Sequence, residues 1–273
     1  MPIPPSRRQV LATHHTPHRP DVKVCGITRE QDILACLAGG VRYLGVNRHA
    51  PSPRCVPEEA VPALLAKIPA GRRVYVAVAP DLPDLAAADR QGFDFFQIHF
   101  DPLSVPEKRV ALWSECVGRD RLWLAPRLAG GSGFPSPLMK YAAAFLIDGY
   151  SPAAYGGTGK TADWAGVAAL KSMHSDKTWI VAGGLSPDNV VDAERASHAD
   201  ILDLNSGIED APGIKNAQKL AEALARLNAA FPASAPQTKP ATAAPASGAV
   251  KGMKVAKGAP PPRKPDNKLK LNP

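Results

Sequence analysis

Residues 73–100 read RVYVAVAPDLPDLAAADRQGFDFFQIHF. The opening run RVYVAV (73–78) is almost wholly apolar, PDLAAADRQG (83–92) is helix-like and closes on a glycine, and FDFFQI (93–98) is again β-like and apolar. A strand with one wet face would alternate apolar and polar residues. A strand that is apolar throughout is covered on both sides, as in a parallel sheet packed under helices.

The same unit recurs along the chain. Further strand-like runs are VKVCG (22–26), VRYLGV (41–46), RLWLA (121–125), AAFLID (143–148), TWIVAG (178–183) and ADILDL (199–204). Helix-like stretches fill most gaps: REQDILACLAGG, PEEAVPALLAKI, VPEKRVALWSECVG, SPLMKYA, DWAGVAALKSM, PDNVVDAERASH and IKNAQKLAEALARLNAAF. Several carry apolar residues at i, i+3 and i+4, and several end in glycine. Eight strands each followed by a helix predict an α/β fold, a (β/α)8 TIM barrel forming a single domain over residues 22–231. A doubly wound open sheet is the alternative. The chain of 273 residues has room for such a barrel, which typically needs about 250.

The ends differ from the body. The net charge is +8, yet residues 232–273 hold eight Lys/Arg against Asp266 alone, and residues 1–21 hold Arg7, Arg8 and Arg19 against Asp21. The remaining 22 basic and 23 acidic residues leave residues 22–231 near neutral. The Ala/Pro/Lys-rich tail has too little apolar surface to offset the entropy of ordering it and is expected to be disordered, as is the Pro-rich segment 1–21. The tail lysines suit either a solvated, solubilising role or contact with nucleic acid. No apolar run approaches the length of a membrane span, and no apolar stretch behind Arg7 and Arg8 makes a secretory signal. The four cysteines, Cys25, Cys36, Cys55 and Cys116, lack zinc-type spacing and read as free thiols in a reducing cytoplasm. His14, His15 and His18 lack companion ligands for a metal.

In a barrel of this kind, chemistry sits at the C-terminal ends of the strands. Those ends carry Cys25, NRHAPSPR (47–54), QIH (97–99), Asp148, AGGL (182–185) and DLNSGIE (203–209). Glycines at the ends of the last two strands let backbone N–H groups approach an anion, which points to a phosphate ester as substrate. YGGTGK (155–160) lacks the spacing of a nucleotide-binding Walker loop. Cys25 by itself reads equally as a small buried hydrophobe, and Asp148 as a cap. Placed across a barrel mouth from each other, they would suit proton transfer.

The motifs KVCGITREQD, SPRCVPEEA, FQIH, YGGTGKTADW, VAGGLSPDNV and LDLNSGIEDAPGIKN, in this order over about residues 22–231, resemble those of the phosphoribosylanthranilate isomerase family of tryptophan biosynthesis. The resemblance implies an Amadori rearrangement of N-(5-phosphoribosyl)anthranilate with Cys25 as general base and Asp148 as general acid. It further implies phosphate held by Gly183, Gly184, Ser206 and Gly207, with Arg54 facing the anthranilate carboxylate. Gly157 and Gly159 would lie in a flexible loop over the substrate. No metal or organic cofactor is required by this chemistry. Asp203 is open between orienting substrate and a structural hydrogen bond, and His99 reads as structural.

Departures from the family pattern fall at Asn47, Arg48 and His49, where an aromatic-rich segment is usual, at Phe100 in place of glycine, and at Asn205 in place of serine. Phe100 and Arg48 are the candidates to replace contacts so lost. Two rival functions stay open: a related barrel isomerase for another aminosugar phosphate, and a non-catalytic scaffold whose basic tail binds nucleic acid.

Overall fold

The computed structural model describes residues 19–128, 133–149 and 162–232. Eight parallel strands close into a barrel in chain order: β1 (Asp21–Val24), β2 (Tyr43–Asn47), β3 (Arg73–Val78), β4 (Phe95–Phe100), β5 (Leu122–Pro126), β6 (Ala144–Ile147), β7 (Thr178–Val181) and β8 (Ile201–Leu204). Closure comes from β1 pairing with β8, Lys23 opposite Asp203 and Val24 opposite Leu204. Helices α1 (Glu30–Ala38), α2 (Val61–Leu65), α3 (Leu82–Arg90), α4 (Glu107–Val117), α5 (Trp164–Met173), α6 (Val190–Ser197) and α7 (Ala217–Ala230) surround it. The open-sheet alternative is thereby excluded.

Because side chains alternate across a strand, each strand feeds two cores. Outward residues such as Val24, Leu44, Phe96, Phe145, Trp179 and Leu202 pack against the helices in the larger core. Inward residues, among them Val74, Val76, Trp123, Leu146 and Ile180, fill the barrel. At the N-terminal end the barrel is plugged by Tyr43, Phe95 and Trp123, whose ring centroids lie 5.1–5.4 Å apart. Such edge-on and tilted packing suits the ring quadrupoles.

Three expectations need correction. SPLMKYA is not an α-helix: Ser136–Lys140 form a short 3-10 turn, since Pro137 supplies no N–H and five residues cannot carry a stable α-helix. The last helix starts at Ala217 rather than Ile214, because Ile214–Lys215 (β10) pair antiparallel with Glu209–Ala211 (β9). Asn216 then caps α7, its side chain accepting from Lys219 N at 2.9 Å. Asp21, expected in a loose extension, belongs to β1, and its N–H donates to Asp200 O at 2.9 Å. Apart from Arg19–Asp21 and Pro232, the two terminal extensions and their histidines lie outside the described residues. No helix among the described residues is long and apolar enough to cross a membrane.

Candidate active site

The inward positions at the C-terminal ends of the strands gather into one cleft of about 750 Å³, measured out to its mouth. Continuing the alternation along each strand puts Cys25, Asn47, Gln97, His99, Asp148, Ala182, Asp203 and Asn205 inside, and all eight line the cleft. The larger aliphatic side chains lower in the barrel give way here to small and polar ones, which is what leaves the space open.

Cys25 follows β1, its N–H extending the ladder to Leu204 O at 2.9 Å. Its thiol is buried, and burial pushes its pKa up, against the pull of Lys23 and Lys215. Asp148 follows β6. Burial and then the charge of Asp203 raise its carboxyl to about 6, while an N–H of Gly149 works the other way. Buried oxygens Oδ1 of Asp148, Oδ1 of Asp203 and Oε1 of Gln97 have no hydrogen-bond partner among the described residues. Buried acceptors are normally satisfied. Three of them on residues that line one cleft fit a ligand rich in hydroxyl or amine donors.

Lys23 is fully buried, and its Nζ lies 2.7 Å from Asp203 Oδ2. Burial alone would favour the neutral amine, but Asp203 and Cys25 outweigh it and hold Lys23 charged. Across the cleft, His99 is held neutral, its pKa lowered to about 4 by burial with help from Lys23 and His49. It accepts from the Gln97 amide at 2.7 Å.

Arg54 also lines the cleft, and its guanidinium is engaged by Glu209. Nε donates to Oε1 at 3.0 Å and Nη2 to Oε2 at 2.7 Å. Glu209 accepts in addition from Lys215 Nζ at 2.7 Å and from Gly213 N at 3.1 Å. Burial works against its charge, yet the hydrogen bonds from Arg54 and Lys215 keep its carboxyl below the usual value. Lys215 Nζ reaches Asn205 Oδ1 at 2.8 Å, which gives the departure at 205 a partner. Gly26, at φ +71°, makes this arrangement fit: a Cβ there would stand 2.7 Å from Arg54 Cδ and 3.0 Å from Asn205 Oδ1.

Of the four residues expected at a phosphate, Gly183, Gly184 and Ser206 line the cleft. Gly183 and Gly184 have φ of +90° and +62°, a left-handed pair open to glycine. Asn189 holds this turn, donating to Gly184 O at 2.8 Å and accepting from Ser186 N at 2.9 Å. Gly207 stands behind, where a Cβ would come within 2.0 Å of Leu185 O. It binds the two loops together. Gly157 and Gly159 lie outside the described residues.

Two expectations about the departures fail. Phe100 points outward, buried against Trp113 with centroids 5.6 Å apart. Arg48 bonds Val56 O and Glu58, away from the cleft. Asn47 and His49 line it instead. Sequence reasoning also missed Lys23 and Lys215 as parts of the site, and it gave Gln97 and Glu209, within QIH and DLNSGIE, no role of their own. For Lys23 a signal existed: it is a charged residue two places before Cys25, and hence on the same face of an apolar strand. Among the described residues no three His, Cys, Asp or Glu side chains converge in a metal-binding arrangement.

Comparison with known proteins bears on the fold and the family. The sequence profile of the family described as N-(5'-phosphoribosyl)anthranilate (PRA) isomerase matches residues 22–226. A relative of that name from Bordetella bronchiseptica is 34% identical over 219 residues, spanning 77% of this chain and 96% of that protein. Another from Geobacter metallireducens is 36% identical over 214 residues, spanning 76% and 98%. The crystal structure of phosphoribosyl anthranilate isomerase from Thermus thermophilus superposes with a TM-score of 0.63 at 29% identity, covering 77% of this chain and 98% of that one.

Proposed function

The chain belongs to the N-(5'-phosphoribosyl)anthranilate isomerase family, and on that premise we propose how its residues turn N-(5'-phosphoribosyl)anthranilate into 1-(2-carboxyphenylamino)-1-deoxyribulose 5-phosphate, an Amadori rearrangement of tryptophan biosynthesis. The observation that carries the proposal is the meeting of Cys25 and Asp148 in one cleft with the Gly183–Gly184 turn.

Asp148 is the general acid. A carboxyl with a pKa of about 6 retains a share of its proton near neutrality and delivers it as the C1–O bond breaks and the departing oxygen gains basicity. It protonates the ribose ring oxygen, the C1–O bond breaks, and the ring opens to a Schiff base on the anthranilate nitrogen. Cys25, as thiolate, then removes the proton on C2. The electron pair moves into the C1–C2 bond and neutralises the iminium, giving an enolamine. Tautomerisation moves the O2 proton to C1 and leaves the ketone at C2.

The remaining groups bind. Gly183, Gly184 and Ser206 present backbone N–H groups to the 5'-phosphate, with Gly207 fixing their spacing. Glu209 occupies Nε and Nη2 of Arg54, and the Nη1 side of the fork is offered to the anthranilate carboxylate. Asp203 Oδ1 and Gln97 Oε1 accept from ribose hydroxyls, which supplies the donors their burial calls for.

Cys25→Ala and Asp148→Ala test the roles. Each is expected to cut turnover by about 10²–10⁴-fold, the range for removing a general acid or base, while still binding a reduced product analogue. Retained turnover in either variant overturns its role. Failure of the unaltered protein to form the rearranged ketose overturns the substrate assignment.

A further inference from the structure

A base must lose its proton before it can act, and everything about the burial of Cys25 opposes that. What offsets burial can be traced residue by residue. Lys23 and Cys25 stand two apart at the end of β1, so both side chains point into the barrel. Lys23 is register partner to Asp203 on β8, and its fully buried ammonium lies 2.7 Å from Asp203 Oδ2. On the other neighbour, β2, Gly45 has no side chain where one would intrude. A Cβ at Gly45 would stand 3.1 Å from Lys23 Nζ and 3.2 Å from Cys25 Sγ. The ammonium and the sulfur thus share the space that glycine leaves. Lys23 Nζ donates to Asp203, and its charge acts on the neighbouring Cys25 thiol.

We infer that Lys23 is a positioning residue for the isomerisation, a buried ammonium anchored by Asp203 that stabilises the thiolate of Cys25. The inference rests on Cys25 being the base. It also gives Asp203 a second part. Asp203 fixes Lys23 beside the thiol, and its negative charge disfavours ionisation of Asp148. One buried ion pair therefore acts on both catalytic groups: at Cys25 the cation outweighs the anion and favours a charged base, and at Asp148 the anion outweighs the cation and favours a protonated acid. Other charges facing Cys25 are Lys215 from β10, which acts with Lys23, and Arg54 from the loop after β2, already paired with Glu209. His99 from β4 is neutral and contributes no charge near neutrality.

The readout is the pH midpoint for alkylation of Cys25 by iodoacetamide in the full-length protein, followed by peptide mass spectrometry so that Cys36, Cys55 and Cys116 do not contribute. Lys23→Met is expected to raise that midpoint by about 1–3 units, the usual effect of losing an adjacent opposite charge. The limb of kcat/KM that reports Cys25 should move with it. Lys23→Arg, which keeps the charge, should restore the midpoint in part. Asp203→Asn should lower it, because Lys23 then has the thiolate as its principal anion. A folded Lys23→Met protein with an unchanged midpoint overturns the inference. Should that variant fail to fold, as judged by near-ultraviolet circular dichroism, an unchanged or raised midpoint in Asp203→Asn overturns it equally. These outcomes are separate from the assignment of the base, which fails only if Cys25→Ala retains turnover.

Discussion

Nη2 of Arg54 donates to Oε2 of Glu209 at 2.7 Å, tying the loop after β2 to the segment after β8 across 155 residues of chain. Glu209 in turn gathers Lys215 and the N–H of Gly213. The arginine reaches the cleft from a frame that is set before any substrate arrives, so little of its rotamer freedom is left to be lost on binding.

Glu209→Gln keeps the shape of this frame and removes its charge. Arg54 and Lys215 are then two cations with no carboxylate between them. Breaking a buried pair from one side costs about 3 kcal/mol or more, and denaturant titration should show a loss of that order. KM should rise about tenfold with a smaller change in kcat, because the group released binds substrate and moves no proton. Equal falls in kcat and kcat/KM would place Glu209 in the chemistry instead.

Gly207→Ala tests the phosphate loops. Its methyl would need to occupy a point 2.0 Å from Leu185 O, so the turn carrying Gly183 and Gly184 must shift. Both the KM and the inhibition constant of inorganic phosphate should rise by about tenfold or more, the loss expected when a polar contact of roughly 1–3 kcal/mol goes. A variant with unaltered phosphate inhibition would mean that the anion lies elsewhere.

The eight strands were legible because apolar runs in a parallel sheet need no tertiary information to be seen. The meeting of Cys25, Asp148 and the Gly183–Gly184 turn in one cleft was legible because strand ends on one side of a barrel face a common mouth. Strand edges were harder: AAFLID continues in sequence to Asp148, but ladder pairing of β6 stops at Ile147. The Arg54–Glu209–Lys215 frame was illegible, since nothing local in SPR or SGIE shows that the two will meet. Phe100 was misjudged for want of parity. It stands one residue after His99, and in a strand that single step exchanges the cleft for the outer core.

Deleting residues 233–273 should leave kcat/KM within about twofold. The barrel is complete before that point: α7 ends at Ala230 and Phe231 is buried against the core. The family profile also ends within α7, at residue 226. If the tail instead contributes to the site, a truncated protein that remains folded by circular dichroism will lose turnover. Polar or charged changes outside a buried site seldom alter stability by more than about 0.5 kcal/mol, so the melting temperature is expected to hold as well.

Asp148 should lower stability as it serves catalysis, and pH separates the two effects. Its carboxyl titrates near 6 in the folded protein against 3.8 as the reference value. The folded state therefore keeps a proton between those values that the unfolded chain has released, so folding is favoured as pH falls through 6. Above 6 the charge is carried in both states, and the desolvation cost is fully present. At 1.36 kcal/mol per unit this is about 3 kcal/mol, or about 2 once partial exposure of the residue is allowed for. Asp148→Asn removes the charge with nearly the same shape. It should be more stable than the parent at pH 8 by about 2 kcal/mol in urea titrations, and the advantage should shrink as pH falls through 6 and vanish by about pH 3, where the parent is protonated in both states. Turnover should fall by about 10²-fold or more in the same protein. In the parent, kcat/KM should show a limb near pH 6 that reports this carboxyl. A variant no more stable at pH 8 than at pH 4, relative to the parent, would mean that the folded protein solvates this carboxylate as well as water does, and a limb of kcat/KM near pH 6 would then have to come from another group.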